Sequence, residues 1–277
     1  MTRGKTEHPM TDSPSRANPP VVMVIAGNDP SGGAGITADL QAVSQLGCHP
    51  APVITALTVQ DTSDAYRVVA TDPELVSEQA AAVFADMKVS AVKIGLLPTA
   101  EVARAVARLL GREGALPIVL DPVLVASGGA ALAPDAMVET LLECLVPLAT
   151  VVTPNAHEIR RLAGEAGDRD TRAAKLLETG CRYVLVKGAD EDTPGVENAL
   201  YGSNGFEEVY RWRRLENSYH GSGCTLAAAL AALLASGRSV PVAVAEAQRY
   251  TWDCLAKGFR PGQGQWVPRR TCQETDR

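Results

Sequence analysis

Continuous apolar runs alternate with amphipathic stretches of helical length along most of this chain. The first run, Val21-Val-Met-Val-Ile25, has no polar interruption and predicts a strand buried on both faces. A Gly-rich turn follows, then a helix from about Gly35 to Leu46 that Gly47 ends. Pro52 to Thr58 predicts a second strand, and Arg67 to Ala70 a short edge piece. Asp72-Pro73 opens a helix to about Met87, with Asp72 accepting from first-turn amides and Pro73 suited to the first helical position. From there the alternation is regular. Ala91–Ile94, Pro117–Leu120, Thr150–Val152 and Tyr183–Val186 read as strands. Ala100–Leu110, Pro134–Leu145, Ala156–Ala163 and Asp170–Thr179 read as helices between them. Asn198–Tyr201 and Glu207–Trp212 flank Gly202-Ser-Asn-Gly205, which predicts a hairpin. Two closing helices span about Gly223–Ser236 and Pro241–Lys257.

Strands alternating with helices of this length form βαβ units, which predict an α/β fold with a mainly parallel central sheet and helices on both faces. No internal repeat or long linker divides the chain, so residues 21–260 are expected to form one domain. Residues 1–20 are rich in Ser, Thr, Pro and charge, lack the apolar run of a signal peptide, and read as a disordered extension. Residues 261–277 form a tail with no readable pattern. In parallel sheets, ligands bind beyond the C-terminal ends of the strands. Gly27 to Gly35, Gln60-Asp61, Asp121, Thr153-Pro-Asn155 and Lys187-Gly188 all fall there. That convergence predicts a site.

Composition narrows what the site can bind. A net charge of -6 without a basic stripe argues against nucleic acid and anionic membranes as partners. A phosphate-bearing ligand would need backbone amides, a metal and a few local cations. No uninterrupted apolar stretch reaches membrane-spanning length. The six cysteines show neither CxxC pairs nor zinc spacing, which favours a reducing compartment, the cytoplasm. Aromatics make up only 4%, a balance that suits Ala-rich helices covering Val-rich strands.

Five segments carry candidate chemistry. Tyr219-His-Gly-Ser-Gly-Cys-Thr225 is a Gly-bracketed turn leading into an Ala/Leu helix. Unpaired amides at such a start form an anion site, and the same field should lower the thiol pKa of Cys224. The plain alternative is a helix start with Ser222 as N-cap and a buried cysteine. No G-x-S-x-G elbow exists, and a cysteine-protease reading would need His220 or another histidine as base. Ala26-Gly-Asn-Asp-Pro-Ser-Gly-Gly-Ala-Gly35 is neither a P-loop nor a dinucleotide fingerprint, but its glycines would let backbone approach a ligand. Asn155 and Glu158, three apart, could form a capping box or stand near magnesium. Asp121, before Pro122, could be a turn former or a metal-facing carboxylate, and Lys187 ends an apolar strand where phosphates would sit.

Taken in order, these segments resemble the hydroxymethylpyrimidine/phosphomethylpyrimidine kinases of thiamin biosynthesis, within the ribokinase-like superfamily. The matching residues are Ala26-Gly27, Asp29 to Ile36, Ala38-Asp-Leu40, Ile54 to Leu57 with Gln60, and Lys93-Ile-Gly95. Leu120 to Val123, Thr153 to Asn155 with Glu158, Lys187-Gly188 and His220 to Thr225 complete the set. Departures from the family's usual residues occur at Asn28, Thr58, Leu96 and Ala189-Asp190.

The resemblance implies a three-layer ribokinase-like α/β fold, a homodimer, and transfer of the ATP γ-phosphoryl group to the hydroxyl of 4-amino-5-hydroxymethyl-2-methylpyrimidine and then to its monophosphate. It implies Cys224 as catalytic base, with Gly221, Ser222 and Gly223 completing the anion hole. Gln60, Gly27, Ala34, Asp39, Leu96 and Val123 would line the pyrimidine, which the Gln60 amide can read through an acceptor–donor pair. Lys187, Asn155 and Thr225 would face ATP phosphates, and Asp121 and Glu158 a magnesium ion. A pyridoxal kinase and a non-catalytic pyrimidine sensor are the competing expectations.

Overall fold

The computed structural model describes residues 18–124 and 135–271. Most of the N-terminal extension, and Cys272 in the tail, lie outside the described residues. The strands are β1 (Val21–Asn28), β2 (His49–Gln60), β3 (Ala65–Ala70), β4 (Val89–Ile94), β5 (Ile118–Leu120), β6 (Val151–Val152), β7 (Tyr183–Val186), β8 (Gly195–Gly202) and β9 (Gly205–Arg213). They form one sheet in the order β3-β2-β1-β4-β5-β6-β7-β8-β9. The run from β2 to β7 is parallel, and β3, β8 and β9 are antiparallel additions at the two edges.

The helices are α1 (Gly35–Gln45), α2 (Pro73–Asp86), α3 (Ala100–Leu110), α4 (Asp135–Thr140), α5 (Ala156–Ala163), α6 (Arg169–Glu178), α7 (Ser222–Ala235) and α8 (Val240–Ala256). The sheet separates two cores, giving three layers. Met23 and Ile25 of β1 pack with α2, α3 and α6, while Val22, Val24 and Ala26 pack with α1, α7 and α8. Each strand residue serves one face or the other, which is why β1 reads as an unbroken apolar run. Helix α7 lies flat on the sheet because Ala227, Ala228, Ala229, Ala231 and Ala232 bring its backbone close. The expected α/β architecture is present.

Two boundaries differ for physical reasons. Strand β2 starts at His49 rather than Pro52, although Pro50 and Pro52 lack amide donors. Strand β3 pairs only with Ala56–Gln60, so the early part of β2 has an open edge where proline is tolerated. The helix expected over Pro134–Leu145 stays α-helical only through Thr140, then widens into a π turn over Leu141–Leu145. Thr140 Oγ1 bonds back to Ala136 O at 2.8 Å, and a short 3₁₀ turn over Val146–Leu148, with Pro147 in it, follows just beyond.

Candidate active site

The C-terminal ends of the parallel strands open into one cleft of about 1160 Å³. Strand order sets the order of its side chains: Gln60 from β2, Gly27 and Asn28 from β1, Leu96 after β4, Asp121 and Val123 after β5, Asn155 after β6, and Lys187 after β7. Five strand spacings separate the first from the last, about 24 Å. A heterocycle at one end and a nucleotide at the other fit that length.

At the β2 end, Thr58, Gln60, Ala65 and Val68 face the cleft from the β2–β3 hairpin. The Gln60 amide lies 3.0 Å from His220 Nε2, which is itself 2.8 Å from Asp29 Oδ2. Asp29 also accepts from Ser31 N, Ser31 Oγ and Ala34 N. Burial opposes its ionisation, but these bonds hold Asp29 below the usual carboxylate range. An ionised Asp29 fixes the proton of His220 on Nε2. With that proton accepted by Asp29, the 3.0 Å contact holds the Gln60 amide against the His220 ring at the cleft wall.

In the centre, Gly221 is the N-cap of α7, with φ of 81°, and Ser222 is the first helical residue. The N-cap alternative for Ser222 is therefore corrected: its amide joins those of Gly223 and Cys224 at the open helix start. The Gly35 backbone at the start of α1 favours the Cys224 thiolate, so two helix starts converge on one thiol. The expected lowering of that thiol's pKa is not found. Burial raises it most, and the nearby carboxylates of Asp39 and Asp121 add to that against the relief from Lys93.

Toward the other end, Lys187 Nζ bonds Asp121 Oδ1 at 2.8 Å and lies 3.9 Å from Glu158 Oε2. Thr153 Oγ1 donates to Asp121 at 3.1 Å. Burial opposes Asp121 ionisation, but the ammonium groups of Lys187 and Lys93 hold its pKa down. Glu158, buried beside Asp121, is pushed up to about 7. Asn155 forms the capping box: its side chain accepts from His157 N and Glu158 N, while Glu158 Oε2 accepts from Asn155 N at 2.8 Å. The cap is what aims Glu158 at Lys187. Beyond it the cleft continues past Asn198, Trp212 and Trp252. There Gln248 Oε1 accepts from Asn198 and Trp212, and Asn198 Oδ1 holds Gly188 N.

Two expected site residues lie behind the cleft wall. Asp39 is fully buried and paired with Lys93 at 2.7 Å, so it supports the floor rather than lining it. Thr225 is also buried; its hydroxyl donates to Gly221 O and accepts from Arg270. Neither reaches the cleft because α1 and α7 turn those positions toward the protein interior. Lys93, which does line the cleft, was legible as a charge inside the apolar strand Ala91-Val-Lys-Ile94. The positions of Asp29 and His220 required the fold.

A parallel sheet carrying helix-start amides, a lysine and buried carboxylates over its C-terminal edge defines a ribokinase-like small-molecule phosphotransferase. Residues 29–268 match the family model of phosphomethylpyrimidine kinase. The chain belongs to that family. It is 40% identical over 260 residues to the hydroxymethylpyrimidine/phosphomethylpyrimidine kinase of Streptomyces coelicolor, covering 92% of this chain and 96% of the relative. The solved phosphomethylpyrimidine kinase of Clostridium difficile 630 superposes with TM-score 0.75 at 32% identity, covering 85% of this chain and 99% of that one. The pyridoxal kinase of Staphylococcus aureus in complex with AMP-PCP superposes with TM-score 0.82 at 26% identity, covering 92% and 94%.

Proposed function

We propose that this chain transfers the γ-phosphoryl group of ATP to the primary hydroxyl of 4-amino-5-hydroxymethyl-2-methylpyrimidine, and then to the monophosphate so formed. The observation that carries this reading is the single cleft in which the Gln60 amide, the Cys224 sulfur and Lys187 follow one another. Gln60 with its amide fixed through His220 would hold the aminopyrimidine edge against Gly27, Ala34, Leu96 and Val123. The hydroxymethyl oxygen would then attack the γ-phosphorus, the bond to the β-phosphate oxygen would break, and the hydroxyl proton would pass to Cys224 in its thiolate form, the minor form at neutral pH because the thiol pKa is raised. Amides of Ser222 to Cys224 would hold charge on the transferring group, with Lys187 on the phosphates.

Asp121 and Glu158 suit a magnesium ion: both are buried carboxylates, and Glu158 is held near 7 by burial and by Asp121, a repulsion that a divalent cation relieves. When bound, such an ion neutralises phosphate charge. The β2–β3 hairpin supports a homodimer. Its inner face lines the cleft, while Leu57, Val59 and Val69 are exposed on its other face, beside Arg67, at a sheet edge. Among the described residues, no helix is long and apolar enough to cross a membrane. Free Cys48, Cys144, Cys181, Cys224 and Cys254 support a reducing, cytoplasmic setting.

A product assay with the pyrimidine alcohol, ATP and magnesium tests the reading. Successive appearance of mono- and diphosphate is the expected result. Binding of the pyrimidine without any ATP turnover would establish the sensor instead.

A further inference from the structure

Arg270 lies in the C-terminal tail, just past the last residue matched to the family, and is only 2% exposed. Among the described residues its hydrogen-bond partners are carbonyls, a hydroxyl and an amide rather than a carboxylate. Nε donates to Thr225 Oγ1 at 2.7 Å, and Nη1 to Gly32 O at 3.4 Å and Gln41 Oε1 at 3.3 Å. Nη2 donates to Gly33 O and, at 3.4 Å, to Gly221 O. One guanidinium thus ties the glycine loop after β1 to the start of α7. The Asp39 carboxylate is near enough to favour its charge but makes no hydrogen bond to it, and burying a cation so loosely paired is unfavourable unless its geometry serves something else.

The geometry has a consequence on the cleft side. Across a trans peptide, the carbonyl of one residue and the amide of the next point in opposite directions. With Gly32 O and Gly33 O drawn to Arg270, the next amides turn away: Gly33 N donates to Ser31 Oγ at 3.2 Å and Ala34 N to Asp29 Oδ2 at 2.8 Å. The same rule applied to Gly221 O sends the Ser222 amide away from Arg270. Ser222 and Gly223 line the cleft. The two loops meet so closely that a Cβ on Gly221 would strike Gly33 O and Arg270 Nη2, and a Cβ on Gly33 would strike the His220 ring.

We propose that Arg270 is a positioning residue for phosphoryl transfer, locking the glycine loop to the start of α7 and so aiming the Ser222–Cys224 amides at the transferring group. Its fixed charge behind those amides also strengthens the anion site. The described part of the tail is held at several points: Trp266 O accepts from His220 N at 2.8 Å, Gln265 N donates to Thr62 O at 2.8 Å, and Arg270 O accepts from Tyr250 Oη at 2.8 Å. This inference rests on the proposed kinase function.

Full-chain Arg270→Met and Arg270→Lys variants test it, with kcat, both KM values and thermal unfolding measured beside wild type. The expected result is a kcat lower by about 10²-fold per folded enzyme, with KM for the pyrimidine alcohol within about threefold. Dilute guanidinium should restore part of the rate in Arg270→Ala. Should Arg270→Met not fold, Arg270→Lys decides, since it keeps a cation but loses the fork. A kcat equal to wild type in the folded variants, or a rate loss that follows only the unfolded fraction, would overturn the proposal. A wild-type enzyme inactive on the alcohol would overturn the kinase reading itself, and this inference with it.

Discussion

Lys187, at the end of β7, reaches across the intervening strand β6 to bond Asp121 Oδ1 at the end of β5, 2.8 Å away. Strands two places apart in a sheet are held about 10 Å from each other, so only a long side chain crosses the gap. In the proposed reaction this pair would stand where phosphate charge meets a carboxylate-bound metal.

Replacing Lys187 with Ala removes the ammonium and leaves Asp121 and Glu158 facing each other. ATP use should weaken, with kcat/KM for ATP down by about 10²–10³ and pyrimidine affinity preserved. Steady-state kinetics varying each substrate in turn checks this. An unchanged KM and kcat for ATP would remove Lys187 from the phosphate site.

Cys224 carries a raised thiol pKa, so the sulfur holds its proton at neutral pH. If the thiolate takes the hydroxyl proton, kcat should climb steadily toward alkaline pH. Cys224→Ala should lower kcat by about 10²–10⁴ and abolish that climb, with substrate binding intact. A pH–rate profile of both proteins is the measurement. A superimposable profile in the variant contradicts the assignment.

Much of this arrangement was legible before any coordinates. Asp72-Pro73 opens α2 as expected, with Asp72 accepting from Glu74 N and Leu75 N. Asn155 and Glu158 form the capping box their spacing implied, and Gly202 to Gly205 turn β8 into β9. These signals are local, so the sequence displays them. Arg270 and the His220–Asp29 contact join positions far apart in the chain and leave no periodic trace. Asp39 was misplaced because α1 carries it inward, where Lys93 meets it. Whether a polar residue faces ligand or interior depends on helix rotation, which spacing alone did not resolve.

Glu158 offers a test of pH-dependent stability. Its pKa rises from an ordinary 4.5 to about 7 on folding, so the folded state binds the extra proton between those values. Stability from this group is present below 4.5 and is lost as pH rises through 7. Glu158→Gln should therefore stabilise the metal-free protein at pH 8, by at most about 3 kcal/mol. Near pH 4.5 it should do nothing. Urea unfolding at the two pH values checks the difference, and activity should fall despite the added stability.

The Asp39–Lys93 pair is fully buried, and Asp39 is pushed up to about 6 by that burial. Asp39→Ala should strand the ammonium and destabilise the protein by about 3–5 kcal/mol. The double variant Asp39→Leu/Lys93→Met should recover most of that loss. Denaturant unfolding of the single and double variants measures it. A single variant as stable as wild type would show that Lys93 has another partner.

Competition between substrates reaches the centre of the account most directly. With ATP and magnesium, kcat/KM is compared for the pyrimidine alcohol and for pyridoxal, in wild type and in Gln60→Leu. Wild type should prefer the pyrimidine, and Gln60→Leu should lose that preference by about 10⁴-fold if the amide pairs with a desolvated ring edge. Preference for pyridoxal in wild type, or an undiminished pyrimidine preference without the Gln60 amide, would contradict it.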